Sequence, residues 1–338
     1  MKPGRDPLTL AELQRRFSDE EKCLAFLERA RWPNGPVCPR CGSTNRASRI
    51  TTRPGEFTCL DCLSRFSITA GTPMHKTHLP LCTWIIAAYL LTTSSKGISS
   101  LKLASLLGLQ YRTTWHLTHR IRAMMESDPE LLRGIVELDE TYIGGKPRKR
   151  NRPMPPAPMP PFDKPEAVKP EPKRKDRKDR KDRKKRGRGG GHTMAFTAVQ
   201  RGGKARMAPL PSHSTEEIAV FIRRWIDSRA VISTDELPTY LAIGRAQAGQ
   251  IRVNHSAEEF ARNDERTGLR AHVNTAESLH AILKRVIMGV WHWISDKHLG
   301  RYLSETVFHW SRRDAFENRL VTIFGTRHGA LPLKELLS

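Results

Sequence analysis

The sequence predicts a mixed α/β chain built in modules: a small cysteine-stapled unit, a pair of helices, and a larger α/β domain. Three observations predict it. Four cysteines stand as two C-x2-C pairs with seventeen residues between them. Helical periodicity runs through three segments between residues 81 and 126. From residue 135 the pattern changes to short strands alternating with amphipathic helices.

A chain of 338 residues is long enough for two or three domains and at least one sizeable core. The net charge of +23 and sequence pI near 10.3 point to a polyanionic partner, most often nucleic acid. One run does not create this excess. Residues 173–188, "KRKDRKDRKDRKKRGR", carry twelve basic side chains against three aspartates, and without them the net charge is still +14. No secretory leader opens the chain. The most apolar stretch, "LCTWIIAAYLLTT" at 81–93, is too short to span a bilayer and fits a buried helix, so no membrane partner is expected. Six cysteines in a chain of this kind read as thiolates rather than disulfides, which points to a reducing cytoplasm.

The elements follow in order. Residues 1–35 form an N-terminal helical segment. Within it "SDEEKCLAFLERA" shows helical periodicity and a capping box of Ser18 with Glu21. Residues 36–70 are strand-and-turn material holding Cys38, Cys41, Cys59 and Cys62. Each C-x2-C sits on a tight turn that aims two thiolates at one point, and two turns complete a tetrahedral Zn²⁺ site. All four positions are filled by protein, so the zinc is structural, and it should supply most of the folding energy of so small a ribbon. Cys23 and Cys82 lie on apolar helix faces, where a free thiol packs as a small hydrophobe.

Residues 80–128 contain helices near 81–94, 98–108 and 111–126, the last two separated by "GLQ". This is the form of a helix-turn-helix. It places Arg112, Thr113, Thr114 and His116, with Arg120 one turn further, where a recognition helix contacts DNA. An ordinary helical hairpin has the same form, and the neighbouring zinc ribbon and the basic charge favour the DNA-binding reading.

A domain from 134 to 315 follows. "IVELDETYIG" is its first strand. "TMAFTAVQ" and "ARMAPLP" form a hairpin across "RGGK". "STEEIAVFIRRWIDS" is an amphipathic helix, and "AVISTD" a short buried strand ending in a carboxylate. A helix near 237–247, a strand near 251–253, and helices at 274–288 and 296–312 complete the domain. It is interrupted at 147–191 by a proline-rich stretch and a threefold Arg-Lys-Asp repeat, too polar to fold alone. That insert reads as a disordered loop, either a solvated linker or a DNA tether. Residues 316–338 read as a C-terminal tail.

Three acidic positions suit phosphodiester chemistry at two divalent ions, which needs oxygen ligands converging from separate elements. They are Asp139 on the first strand, Asp235 at the end of "AVIST", and Glu277 in the first turn of the helix opening at Asn274. Helical spacing puts Asn274, Glu277 and Lys284 on one face, with Lys284 within reach of a phosphate. Glu137 rivals Asp139, since both fall on the same side of the strand. Glu258, Asp264 and Glu265 rival Glu277 from a loop-like stretch. Glu140 and Glu236 follow the two key aspartates and suit supporting contacts.

With these residues in view, the chain resembles the bacterial insertion-sequence DDE transposases that carry an N-terminal zinc ribbon, the ISXO-like group. The resemblance rests on "RARWPNGPVCPRCG", "FTCLDCLSRFSITAGTPMHKTHLPL", "DETYIGGK", "STDELPTY", "HVNTAESLHAILKR" and "SDKHLGRYLSE". It implies a ribonuclease-H-like catalytic domain, Mg²⁺ or Mn²⁺ as catalytic ions, and binding of transposon-end and target DNA. It also implies strand cleavage by water, strand transfer by the freed 3′-hydroxyl, and a homo-oligomer in the DNA complex, within a bacterial nucleoid. By motif, Asp139 of "DET" and Asp235 of "STDE" are the first two ligands. The third is Glu277 of "NTAE", with Asn274 as the alternative, and Lys284 follows seven residues later. The chain departs from the pattern at "FHWSRR", where His309 and Ser311 stand in place of an Arg and an Asn. Two other readings are a catalytically dead DNA-binding regulator and a simple metal-dependent nuclease. Retention of Asp139 and Asp235 argues against the first.

Overall fold

The computed structural model describes residues 8–125, 130–144, 193–211, 214–235, 247–253, 261–264, 267–313 and 319–325. The insert at 147–191, nearly all of the helix expected at 237–247, and Glu236, Glu258 and Glu265 lie outside these residues.

The chain begins with α1 (Leu10–Arg16), which the periodicity did not reveal, and α2 (Glu20–Arg31). The expected capping box does not start α2. Asp19 is its N-cap, accepting from the Lys22 backbone N–H at 2.9 Å, while the Ser18 hydroxyl donates to Asp19 Oδ2. A carboxylate is the better acceptor at the positive end of a helix. The ribbon is an antiparallel meander of β1 (Ala47–Arg49), β2 (Glu56–Cys59) and β3 (Arg65–Ser67). Its apolar side is Phe57 stacked on Phe66 with Trp32 edge-on to both, at centroid distances of 5.3–5.9 Å.

Helix α3 (Leu81–Thr93) is apolar around its circumference and buries Trp84, Ile85, Ala87, Ala88 and Leu91. Ser99 caps α4 (Ser100–Leu107). Gly108, at φ +64°, turns the chain into α5 (Tyr111–Met124). Cys23 of α2 and Cys82 of α3 are joined in a disulfide, against the expectation of free thiols. The reason is packing. The two apolar faces meet and bring the Cα atoms to 5.6 Å, inside the window a bridge requires.

The second half is a five-stranded sheet, order β6-β5-β4-β7-β8. Its strands are β4 (Ile135–Ile143), β5 (Thr193–Gln200), β6 (Ala205–Leu210), β7 (Val231–Thr234) and β8 (Gly249–Arg252), with α6 (Thr215–Trp225) between β6 and β7. β4, β5 and β6 pair antiparallel, whereas β7 and β8 run parallel to β4. A two-residue pair, β9 (Arg262–Asn263) with β10 (Arg270–Ala271), leads into α7 (Asn274–Val286). α7 runs on into a π-helical turn, Ile287–Trp291, and α8 (Asp296–Ser311) follows.

Strand alternation gives the sheet two different faces. Val136, Leu138, Phe196, Ala198 and Ile232 pack with Ile218, Phe221 and Ile222 of α6. The other face carries Glu137, Asp139, Thr197 and Ser233 among its apolar residues, and α7 and α8 lie over it. There Val199 and Ala205 meet Ala276 and Leu279, while Ile143 and Ala195 meet Leu283, Leu299 and Leu303.

Residues 319–325, expected as part of a tail, form α9 (Arg319–Gly325). α9 sends Leu320, Ile323 and Phe324 into the same apolar cluster as α1, α2, the ribbon and α3–α5. Among the described residues, no helix is long and apolar enough to cross a membrane.

Candidate metal and nucleic-acid sites

The four ribbon cysteines stand on two turns of the same design. The Gly42 N–H bonds the Cys38 carbonyl and the Leu63 N–H bonds the Cys59 carbonyl. In each turn the fourth residue after the first cysteine is left-handed, Gly42 at φ +76° and Leu63 at φ +58°. The sulfur atoms all lie within 4.8 Å of one another. Cys38 Sγ is 3.7 Å from Cys62 Sγ, and Cys41 Sγ is 3.6 Å from Cys59 Sγ. A tetrahedron with Zn–S bonds of about 2.3 Å has edges of roughly 3.8 Å, so the donor set fits zinc in chemistry and in size.

Sheet register brings the strands that carry or precede two of the acidic residues side by side. β4 and β7 are paired in parallel as far as Glu137↔Ser233. Two residues further along the chain from these stand Asp139 and Asp235. Continued by two residues, that register sets position 139 opposite position 235, with Asp235 one residue past the end of β7. The sheet face that carries Asp139 lies under α7. Leu279 packs toward β5 and β6, and His280 reaches Asp139 on β4. At roughly 100° per residue, Glu277 and Lys284 then fall on the opposite flank of α7 from Leu279, toward β7. Both are exposed. Asn274 lies roughly 160° from Ala276, turned away from the sheet. The three carboxylates are not drawn into contact: among the described residues, only the cysteines form a group with all ligand atoms within 4.8 Å. Two ions about 3.5–4 Å apart do not require such contact.

Asp139 is held from two sides. One oxygen accepts from the Glu140 backbone N–H at 2.8 Å. The other is 3.3 Å from His280 Nδ1, and the far nitrogen of that ring is 2.8 Å from the Thr197 hydroxyl. His280 was missed in the sequence. The available signal was its spacing, three residues after Glu277 on the same helix.

Glu137 does not face solvent. It is fully buried. Its oxygens accept from the Thr275 N–H at 2.8 Å, the Thr275 hydroxyl at 2.9 Å, the Ala276 N–H at 3.1 Å and Arg201 Nε at 2.7 Å. Val273, the residue at the start of α7, provides no side-chain cap. Glu137 supplies it from another strand, a carboxylate at the positive end of the helix. Arg201 also donates to the carbonyls of Arg270 (2.6 Å) and His272 (3.0 Å), and the Ser233 hydroxyl donates to His272 O at 2.7 Å. The His272 ring nitrogen lies 3.1 Å from Glu137 without the alignment of a hydrogen bond, and burial lowers its pKa. The whole set ties the entry of α7 to β4 and β7. Asp264, a rival of Glu277 in the sequence, instead accepts from the Thr267 N–H and hydroxyl in the turn before β10.

On α5, Arg112, His116, Arg120 and Thr113 fall within about 100° of helix circumference and form one stripe. Arg112 is exposed and the others half-buried. Burial and the two arginines lower the pKa of His116. Thr114 does not belong with them. It is fully buried, and its hydroxyl donates to Gln110 O at 3.2 Å, so it cannot reach a ligand. The helical wheel carries it to the far side. Ser311 likewise turns inward, accepting from the Ala205 N–H at 3.0 Å.

Residues 18–65 match the family model of a transposase zinc-ribbon domain, and residues 168–311 match that of an ISXO2-like transposase domain. The chain belongs to this transposase family. Asp235, Asn274, Glu277 and Lys284 fall inside the second match, and Asp139 lies ahead of it. This transposase-family chain is also similar to a protein of Halobacterium salinarum described as an uncharacterized protein in transposable element ISH50. The two are 24% identical over 293 residues, which cover 85% of this chain and 89% of that protein.

Proposed function

We propose that the protein is a DNA transposase of an insertion sequence, which binds the ends of its element, cleaves a strand and joins it to target DNA. The observation that carries this reading is the parallel pairing of β4 with β7: Asp139 stands on β4, Asp235 follows the last residue of β7, and Glu277 and Lys284 share an exposed flank of α7. The strand order, with three antiparallel strands continued by two parallel ones, supports a ribonuclease-H-like catalytic domain.

Asp139, Asp235 and Glu277 are the proposed ligands of two Mg²⁺ or Mn²⁺ ions. Hard oxygen donors from a rigid sheet and helix suit these cations. Bound there, the ions would activate the attacking oxygen and stabilise the leaving one. Glu277 is preferred to Asn274 because it lies on the flank of α7 toward β7 and is a carboxylate. Lys284, two turns further along that flank, suits a contact to the scissile strand's phosphate. His280 and Glu140 hold the Asp139 carboxylate in place, and Glu137 holds the helix that carries Glu277. The ribbon, the α5 stripe of Arg112, Thr113, His116 and Arg120, and the net positive charge support binding of DNA. Pairing of two element ends calls for two copies of the chain on the DNA.

The test is incubation of the full-length protein with Mg²⁺ or Mn²⁺ and DNA carrying the element's ends. Nicked and joined products are expected. Asp139→Ala with undiminished activity would overturn the site assignment, and cutting without joining would leave a nuclease.

A further inference from the structure

A cleft of about 690 Å³ opens between α5 and the segment that joins α7 to α8. Its size is that of a small-molecule pocket, roughly 300–1,000 Å³. The walls are aromatic: Tyr111 and Trp115 from α5, Trp291 and Trp293 from the π-helical turn and its exit, and Tyr302 from α8. Trp291 and Tyr302 lie 4.7 Å apart between ring centroids, and Trp115 is edge-on to His298 at 5.1 Å. At the mouth the aromatic faces are open. Trp293 is 74% exposed and Tyr111 54%. Two exposed aromatic faces on one rim leave flat apolar surface open to a ligand.

The polar groups narrow the choice of ligand. Among the described residues no carboxylate lines the cleft, and Lys297, His292 and Arg122 do. Arg122 is already matched by Glu305 at 2.5 Å, both fully buried. His298 Nδ1 and Trp291 Nε1 are buried behind the walls and have no hydrogen-bond partner among the described residues. Burial and the nearby Arg301 and Lys297 lower the pKa of His298, so its ring is neutral at pH 7 and offers one donor and one acceptor. The backbone is strained at this point: α7 leaves its α-helical path in the π turn, and His292 sits at φ +59°. Strain of this kind persists where the surrounding structure fixes it, and it clusters at functional sites.

We infer that this cleft receives an unpaired DNA base, stacked on Trp293 and Tyr111. The proposal rests on the DNA-binding reading above and adds a ligand class to it. Flat faces stack a base whatever its sequence, and a cleft lined by Lys297 and without acid among the described residues tolerates the phosphates beside it. The position fits as well. The cleft lies at the C-terminal end of α7, about 20 Å along the helix axis from Glu277, with Lys284 between. It uses the Tyr111–Trp115–Arg122 flank of α5, distinct from the stripe of Arg112, His116 and Arg120, so mutation can separate the two.

The experiment measures binding of the full-length protein, without divalent metal, to a paired duplex and to the same duplex with one bulged 2-aminopurine. The bulged duplex should bind tighter by ~5- to 150-fold, the effect of stacking one base, and the probe's emission should fall as it stacks. Trp293→Ala should abolish the preference and the quench and leave paired-duplex affinity unchanged. Its side chain is exposed, so the fold is not at risk, and Tyr111→Ala gives a second, independent variant. Equal binding of the two duplexes, or a preference that survives both substitutions, would overturn the inference. So would a Trp293→Ala protein that changes only its oligomeric mass, since the rim would then be a contact between copies. Cleavage of element ends with Mg²⁺, run on the same samples, keeps the two readings apart. Bulge preference without cleavage leaves the cleft standing and removes the transposase chemistry, and cleavage without preference does the reverse.

Discussion

The cysteine site and the carboxylate site are built in opposite ways. The first is local: four ligands within 25 residues, on two turns of one design, with their sulfurs already at tetrahedral spacing. The second is assembled over distance. The proposed ligands Asp139, Asp235 and Glu277 come from β4, from just past β7 and from α7, so their approach would depend on one parallel register and on the seating of α7. The difference is one of what holds the site together. The proposed zinc would hold the two turns of the ribbon together, whereas a buried polar network centred on Glu137 ties the start of α7 to β4 and β7 without a metal.

Four measurements would break or sharpen that contrast. The largest effect is expected from zinc removal. Structural zinc contributes roughly 10–16 kcal/mol to small ribbons. Chelation should therefore make residues 36–70 protease-sensitive while the sheet domain stays protected, and equal resistance with and without chelator would refute a metal-organised ribbon. Next is Glu137→Ala, which leaves Arg201 without its carboxylate and the start of α7 uncapped. A loss of about 3–5 kcal/mol in denaturant-unfolding free energy is expected, as for a broken buried pair. A loss under about 1 kcal/mol would mean that α7 is seated by its apolar face alone. Third, Asp139→Asn should lower strand cleavage at least ~100-fold, since a metal-held charge is worth several kcal/mol in the transition state. The melting temperature should barely move, in contrast to Glu137→Ala. The smallest effect belongs to the turn pair. Leu63, exposed and left-handed, occupies the position that Gly42 fills in the other turn. Leu63→Gly should stabilise the zinc-bound ribbon by a few tenths to about 1 kcal/mol, the relief of left-handed strain exceeding the extra chain entropy.

The same contrast explains what was readable in the sequence. The cysteine spacing carries its geometry within it. The strands and helices of the second half were readable from alternation and periodicity, and so were Asp139, Asp235 and Glu277 as candidates. Their supports were not. Glu137 looked like a rival ligand because its partners stand at 201, 275 and 276, and no local pattern links those positions to residue 137. Thr114 looked like a DNA contact because a helical wheel shows flanks but not which flank faces a neighbour. The Cys23–Cys82 bridge was hidden for a similar reason. Each cysteine was correctly placed on an apolar face, and only the meeting of those two faces pairs them.

Helix α9 carries a consequence for how the molecule is made. Leu320, Ile323 and Phe324 complete the apolar cluster begun by Leu13, Leu27 and Trp84, and Gly325 lies so close to the Ala30 carbonyl that a Cβ there would be 2.6 Å from its oxygen. A ribosome that has translated the ribbon and the helix pair has therefore not yet supplied one wall of their core. The front of the protein is finished last, after the sheet and its carboxylates have left the exit tunnel. A nascent chain cut short before residue 319 would carry every proposed ligand and still lack a closed front end.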